Sequence, residues 1–318
     1  MFSVTTPDYN GYDPGEKKMG ICRYTGRFST EKMKCEIKPE NKLINNPLKN
    51  IDQNKTEMEL ITYLKEEKDV KRKGGLYHKT QVNLAYNSNK IEGSKLTEEQ
   101  TRYIFETRTI GFKDQEAVPV DDIIETSNHF IAFDYMLDTI NMPFSNTLIK
   151  EFHRILKTST SDDTKKWFKV GEWKRIPNEV GGAETSLPKD VETDMNNLNE
   201  WYNSISEIEF ENIVEYHHRF EKIHPFQDSN GRVGRLIMFR ECLRNSIIPF
   251  IIDDSHKQFY YRGLKEFAQI RGYLMDTCLS AQDVYKEWVK YFYEDLFNEE
   301  KTANKRFGVS LGVCSRKV

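Results

Sequence analysis

No stretch of about 18 consecutive apolar residues interrupts this 318-residue sequence, so no transmembrane helix is expected. Met1 to Asn10 carries no basic segment followed by an apolar one, the pattern of a secretory signal. The five cysteines (Cys22, Cys35, Cys242, Cys278 and Cys314) are odd in number, scattered and nowhere spaced C-x-x-C. That pattern argues against a disulfide framework and against a zinc site, and the expectation is of reduced thiols in a cytoplasmic protein. A charge excess is also missing. Lys plus Arg is 47 against 50 Asp plus Glu, for a net charge of -3, where a nucleic-acid binder would show a basic surplus. No nucleic-acid or membrane partner is therefore expected, and no internal repeat is present. The oligomeric state is left open, a homo-oligomer included.

What is there reads as mostly α. Residues 1–54 are rich in Gly, Pro, Asn and Lys without sustained periodicity and read as a loop-rich segment of unassigned role. From Thr56 the pattern turns helical, with Met58, Ile61 and Leu64 on one face, until Lys68 to Gly75 (KDVKRKGG) stops it. The basic run there is read as a solvated loop. A second helix is predicted from about Thr80 to Glu92, stopped by Gly93 at a C′ position. Thr97 opens a third, and Gln100 completes a capping box. Further helices are predicted around Phe130/Phe133/Leu137, Leu148/Phe152/Ile155, Val191/Met195/Leu198/Tyr202, Ile213/His217/Phe220, Leu236/Phe239/Leu243, Phe259–Phe267 and Val284–Phe297. Trp167 to Gly182 (WFKVGEWKRIPNEVGG) breaks the habit with aromatic and β-branched residues, Pro177 and three Gly. It reads as one short β-hairpin. The last residues, 299–318, form a tail.

The informative segment is Ile223 to Arg235, I-H-P-F-Q-D-S-N-G-R-V-G-R. Pro225 cannot continue a helix that ends near Ile223, and a new helix should begin around Asn230–Gly231. The small polar run Asp228-Ser229-Asn230-Gly231 then lies at a helix N-terminus, where free N–H groups and the positive dipole end favour an anion. Arg232 and Arg235, at i and i+3 on the first turn, oppose that dipole unless an anion such as a polyphosphate sits between them. Asp228 supplies a hard oxygen suited to Mg²⁺ on phosphates. His224 stands at the edge of this loop, where a neutral imidazole could take a proton from a hydroxyl. The bland alternative is a helix-connecting turn with a structural histidine and solvated arginines; so many chemically matched residues in so short a span weigh against it.

The same segment resembles the Fic family signature H-P-F-x-[D/E]-G-N-G-R-x-x-R, matching every fixed position but one. The hairpin residues Gly171, Trp173, Arg175, Gly181 and Gly182, the Leu187–Tyr202 helix and the Phe259–Leu264 stretch have similar spacing. The resemblance covers roughly residues 55–298 and looks like the stand-alone bacterial type. It implies a Fic-type helical bundle with one hairpin flap (about 167–182), and an enzyme that transfers AMP from ATP to a Ser, Thr or Tyr hydroxyl of a protein, itself included. His224 would be the base, Asp228 would hold Mg²⁺, and Ser229, Asn230, Gly231, Arg232 and Arg235 would bind ATP phosphates. Phe226 would anchor the loop in the core. Trp173 and Arg175 would dock the target, although Trp173 also suits a plain hydrophobic anchor. Ser229 stands where the family usually has Gly; if that position needs φ > 0, Ser carries a strain of about 1 kcal/mol.

Ser88-Asn89-Lys90-Ile91-Glu92-Gly93 resembles the family's inhibitory motif [S/T]-x-x-x-E-[G/N], on a helix of about residues 80–93. The resemblance implies that Ser88 and Glu92 face Arg235 and occlude the γ-phosphate position. Tyr260 and Tyr261 fall where the family places an aromatic against adenine, Tyr261 being the better match, with core packing as the rival. His217, His218 and His153 read as packing residues. Two other functions stay open. One keeps the fold but transfers UMP or phosphate, or removes AMP; the other is a non-enzymatic nucleotide-binding module.

Overall fold

The computed structural model describes residues 59–111 and 117–293. The expected loop-rich segment 1–54 and tail 299–318 lie outside the described residues, as does Met58. The described residues form ten α-helices, α1 (Glu59–Asp69), α2 (Leu76–Ile91), α3 (Glu98–Thr107), α4 (Val120–Asp138), α5 (Asn146–Lys157), α6 (Val191–Asn203), α7 (Phe210–Ile223), α8 (Asn230–Arg244), α9 (Lys257–Glu266) and α10 (Gly272–Phe292). One antiparallel hairpin joins them, β1 (Glu179–Val180) with β2 (Ala183–Glu184), registered Glu179 to Glu184 and Val180 to Ala183. The mostly α fold expected from the sequence is the one observed.

Helix α8 is the hub, packed against α7, α5, α4 and α2. Almost every residue of it is buried, Val233, Leu236, Phe239 and Cys242 completely. The helix is covered on every side, so the charges it carries must find their partners inside the protein. Its one fully buried cation, Arg240, is paired with Glu241 and donates to the carbonyls of Ile140 (3.0 Å) and Met142 (2.6 Å) beyond α4. A guanidinium without those acceptors would cost several kcal/mol at that depth.

Several local expectations are met by the chemistry that motivated them. Thr97 and Gln100 exchange both bonds of a capping box at the start of α3. Gly93 follows α2 with φ +101°. Three boundaries differ. Helix α2 starts at Leu76 rather than Thr80, because the buried Glu67 carboxylate accepts the Tyr77 amide at 2.7 Å and so caps the first turn from α1. Helix α10 starts at Gly272 rather than near Val284, since Leu274 and Cys278 continue the buried stripe of Tyr285 and Val289. The hairpin spans only 179–184. The preceding residues from Trp167 are turns held to neighbouring elements, such as Gly171, whose amide donates to His153 Nδ1 at 2.9 Å.

Among the described residues, no helix is long and apolar enough to cross a membrane.

Candidate active site

Helix α7 ends because His224 adopts a left-handed conformation (φ 51°, ψ 61°) and Pro225 follows without an amide hydrogen. The His224 amide still donates to the Phe220 carbonyl at 2.9 Å, closing the last turn. The loop then dives inward at Phe226, fully buried and stacked on His153 with ring centroids 4.0 Å apart and planes within 2°. Asn230, buried at the first position of α8, accepts the Phe226 amide (2.8 Å) and donates to the Phe226 carbonyl (2.9 Å). That double bond spends the Asn230 side chain on the loop itself; only its backbone is left for the helix N-terminus. Ser229 sits between them with φ 65° and ψ 16°, so the position does require the conformation that glycine adopts freely.

The His224 ring is partly buried. Its Nδ1 lies 3.3 Å from the Glu221 carbonyl oxygen, which can only accept. The hydrogen therefore belongs on Nδ1 and the lone pair on Nε2. Burial lowers the His224 pKa, with Lys174 adding to the effect against the Glu221 carbonyl and the charges of Glu92 and Asp228. A neutral imidazole with Nε2 unprotonated is the form that accepts a proton.

Asp228 is half-exposed, but its Oδ2 is engaged by Lys157 Nζ at 2.8 Å and Arg232 Nη2 at 3.2 Å. Burial pushes the carboxyl pKa up; Arg232 and Lys157 more than reverse this and keep it well below the usual carboxylate range. Lys157, 2% exposed, also meets Glu125 (2.7 Å) and Asp162 (2.6 Å), and Glu125 pairs with Arg232. Three carboxylates thus share two buried cations. Arg232 is given to Glu125 and Asp228 and reaches another anion only by exchanging them. Among the described residues, no three or more His, Cys, Asp or Glu side chains gather as a metal cage. The single ionised, solvent-reaching Asp228 fits a magnesium ion of the kind shared between one carboxylate and substrate phosphates.

At the opposite lip, α2 brings its own anion to the N-terminus of α8. Glu92 Oε1 is 2.6 Å from Arg235 Nη2; Arg235 Nε donates to Ser88 Oγ at 3.1 Å and Nη2 to the Ser88 carbonyl at 2.9 Å. A Cβ at Gly231 would collide with the Glu92 carboxylate, so the bare glycine backbone is what admits it.

The two tyrosines separate. Tyr260 is 1% exposed in the core, its hydroxyl 2.6 Å from His217 Nε2, which removes it from the adenine candidates: its ring is covered on all sides. Tyr261 is 42% exposed and bonds the Ile91 carbonyl at 3.2 Å, beside Glu92. His218 stacks on Phe267. Trp173 packs on Phe226 at 5.0 Å, while Arg175 is exposed. Between them, Lys174 is buried and donates to Asn178 Oδ1, Thr185 Oγ1 (both 2.7 Å) and the Ile223 carbonyl (3.2 Å), and its amide donates to the Pro225 carbonyl at 2.8 Å. Lys174 is the residue that ties the hairpin to the His224 loop, and sequence reasoning passed over it in favour of its neighbours. Glu125, Lys157 and Glu221 were missed too. Only Glu221 left a sequence signal, its i, i+3 spacing from His224.

The structure shares the helical fold of a Fic domain containing signaling protein from Bacteroides thetaiotaomicron (TM-score 0.55, 24% identity, covering 77% of this chain and 95% of that one) and of Fic-1 (aa134–508) from C. elegans (TM-score 0.55, 19% identity, 75% and 72%). Residues 143–242 match the Fic/DOC family model. Curated relatives include the protein adenylyltransferase Fic of Aedes aegypti (32% identical over 192 residues, 57% of this chain and 36% of the relative) and that of Nematostella vectensis (30% over 206 residues, 59% and 44%). The chain spans less than half the length of these relatives.

Proposed function

We propose that the chain is a protein adenylyltransferase of the stand-alone bacterial type, moving AMP from ATP to a Ser, Thr or Tyr hydroxyl of a protein, itself included. The observation that carries this reading is the Glu92 carboxylate lying over Gly231 against Arg235. An anion already seated at the N-terminus of α8 marks the place as one built for negative charge. The names of the curated relatives support the same activity.

In this mechanism His224 Nε2 takes the proton of the target hydroxyl while its oxygen attacks the α-phosphorus, and the bond to the pyrophosphate oxygen breaks. The imidazolium is held in place by the Nδ1 hydrogen on the Glu221 carbonyl. The amides at Asn230 and Gly231, beside Ser229, stabilise the charge that grows on the phosphate oxygens. Arg235 grips the terminal phosphates, and Arg232 keeps Asp228 ionised and oriented. Asp228 would hold Mg²⁺, which when bound neutralises charge on the phosphates. Tyr261 offers its exposed face to the adenine. Trp173 and Arg175 stand on the flap segment where a target chain would dock.

The pairing of Glu92 with Arg235 makes α2 an inhibitory helix in this reading, because it occupies the cation that the γ-phosphate needs. A cytoplasmic site of action is part of the proposal, supported by Cys242 and Cys278, both buried free thiols.

Incubation with α-labelled or γ-labelled ATP and Mg²⁺, beside His224→Ala, tests it. Protein label from the α position that is lost in His224→Ala is the expected result. Label only from γ would assign phosphorylation, and no label from either would leave a binding module.

A further inference from the structure

Glu125, Lys157 and Asp162 surround Asp228, and the mechanism above uses none of the three. Lys157 is the last residue of α5, 2% exposed, with the Phe168 ring 5.6 Å from its Nζ. That Nζ meets Glu125 Oε1 at 2.7 Å, Asp162 Oδ2 at 2.6 Å and Asp228 Oδ2 at 2.8 Å. A buried ammonium is costly, and three carboxylate acceptors for its three protons are what hold it there. Two closed pairs would have sufficed without Asp228, since Glu125 also binds Arg232 and Asp162 is shared with the exposed Lys165.

The contacts on Asp228 are one-sided. Lys157 Nζ (2.8 Å), Arg232 Nη2 (3.2 Å) and Ser229 Oγ (3.4 Å) all fall on Oδ2. Among the described residues no side chain takes Oδ1, although the Asp228 side chain is 47% exposed. The two cations reach Oδ2 from different helices, α5 and α8, so the carboxylate cannot turn to offer both oxygens without breaking both bonds.

We propose that Lys157 is a positioning residue for Asp228: it pins Oδ2, leaves Oδ1 as the one oxygen offered to a divalent ion, and keeps that ion weakly held in the absence of nucleotide. This rests on the reading of Asp228 as the metal ligand. An unpinned Asp228 with Glu125 and Asp162 beside it would present the oxygen-rich anionic cluster that captures a free divalent ion. Lys157 opposes this in two ways. It occupies one ligand oxygen, and its unit charge, 2.8 Å from that oxygen, repels an incoming cation. Retention of the ion is then left to the phosphate oxygens of a nucleotide.

Mn²⁺ is the probe, titrated into the full chain without nucleotide and followed by the EPR signal of the free ion. The proteins are wild type, Asp228→Asn, Lys157→Met, Lys157→Met/Asp162→Asn, and the last with Asp228→Asn added. Lys157→Met alone leaves two buried acids short of a cation and endangers the fold. The double variant removes one cation and one anion, so the cluster keeps its net charge and Glu125 keeps Arg232. It should bind Mn²⁺ at least about tenfold more tightly than wild type, and adding Asp228→Asn should abolish the gain. A lysine that merely braces the fold would lower Tm and leave Mn²⁺ binding unchanged or weaker, and that result overturns the proposal. Asp228→Asn keeps the two failures apart: a gain that survives it, or wild-type binding that it does not weaken, overturns Asp228 as the metal ligand and the role of Lys157 with it, whereas an Asp228-dependent site with no gain in the double variant overturns the role of Lys157 alone.

Discussion

Arg235 and Glu92, 143 residues apart, meet at 2.6 Å over the first turn of α8, and Ser88 holds the same guanidinium from behind. The cation is 4% exposed while the Glu92 side chain is 32% exposed, so salt screens the pair only from the carboxylate's side. Burial lowers the Arg235 pKa, and Glu92 more than offsets that.

Replacing Glu92 by glycine should therefore release the site. A charge-assisted bond is worth about 1.5–3 kcal/mol net, equivalent to roughly a 10- to 100-fold increase in automodification rate. The rate of AMP incorporation in Glu92→Gly against wild type measures it, and equal rates would remove the case for control by α2.

Ser229→Gly should stabilise the fold. Its left-handed backbone (φ 65°) costs a serine about 1 kcal/mol, partly offset by the extra freedom glycine has when unfolded. The net gain expected is under about 1 kcal/mol, a rise of about 2 °C in Tm, readable by calorimetry. A fall in Tm would mean that the 3.4 Å contact of Ser229 Oγ with Asp228 matters more than the backbone.

Asn230→Ala should lose stability and activity together. It leaves the Phe226 amide and carbonyl without their partners in the core, at about 2–4 kcal/mol. Urea denaturation reads the first effect and AMP incorporation the second. Full stability with activity lost would instead give Asn230 a direct role with substrate.

Stability should fall with pH through Glu221. Its carboxyl is raised from 4.5 to about 8 in the fold, so the folded chain holds a proton that the unfolded chain has released. That contribution is complete below about pH 4.5 and is lost as pH rises through about 8. Wild type should be less stable than Glu221→Gln at pH 9, by up to about 5 kcal/mol, while the two converge at pH 4. Parallel urea midpoints across that range would contradict it.

The loop was legible because its chemistry is local: His224, Asp228, Gly231 and Arg235 lie within twelve residues, and a proline and a run of small polar residues announce the helix boundary. Glu125 and Lys157 were not legible. They reach Asp228 and Arg232 from α4 and α5, with 107 residues between Glu125 and Arg232 and 71 between Lys157 and Asp228. Nothing in a period of 3.6 reports such a meeting. Tyr260 and Tyr261 could have been told apart, since Tyr260, Gly263 and Phe267 share the buried face of α9 at i, i+3 and i+7. The hairpin was drawn too long because Trp173 and Phe168, which look like strand residues, are spent on the Phe226 and His153 rings.

The bare backbone at residue 231 has a further corollary. On the proposed reading, nucleotide and helix α2 compete for one doorway, and its frame cannot be thickened on the α8 side without narrowing it for both. Heritable escape from restraint is thus expected to arise at positions 88 and 92, while changes at 231 would silence the protein rather than unleash it.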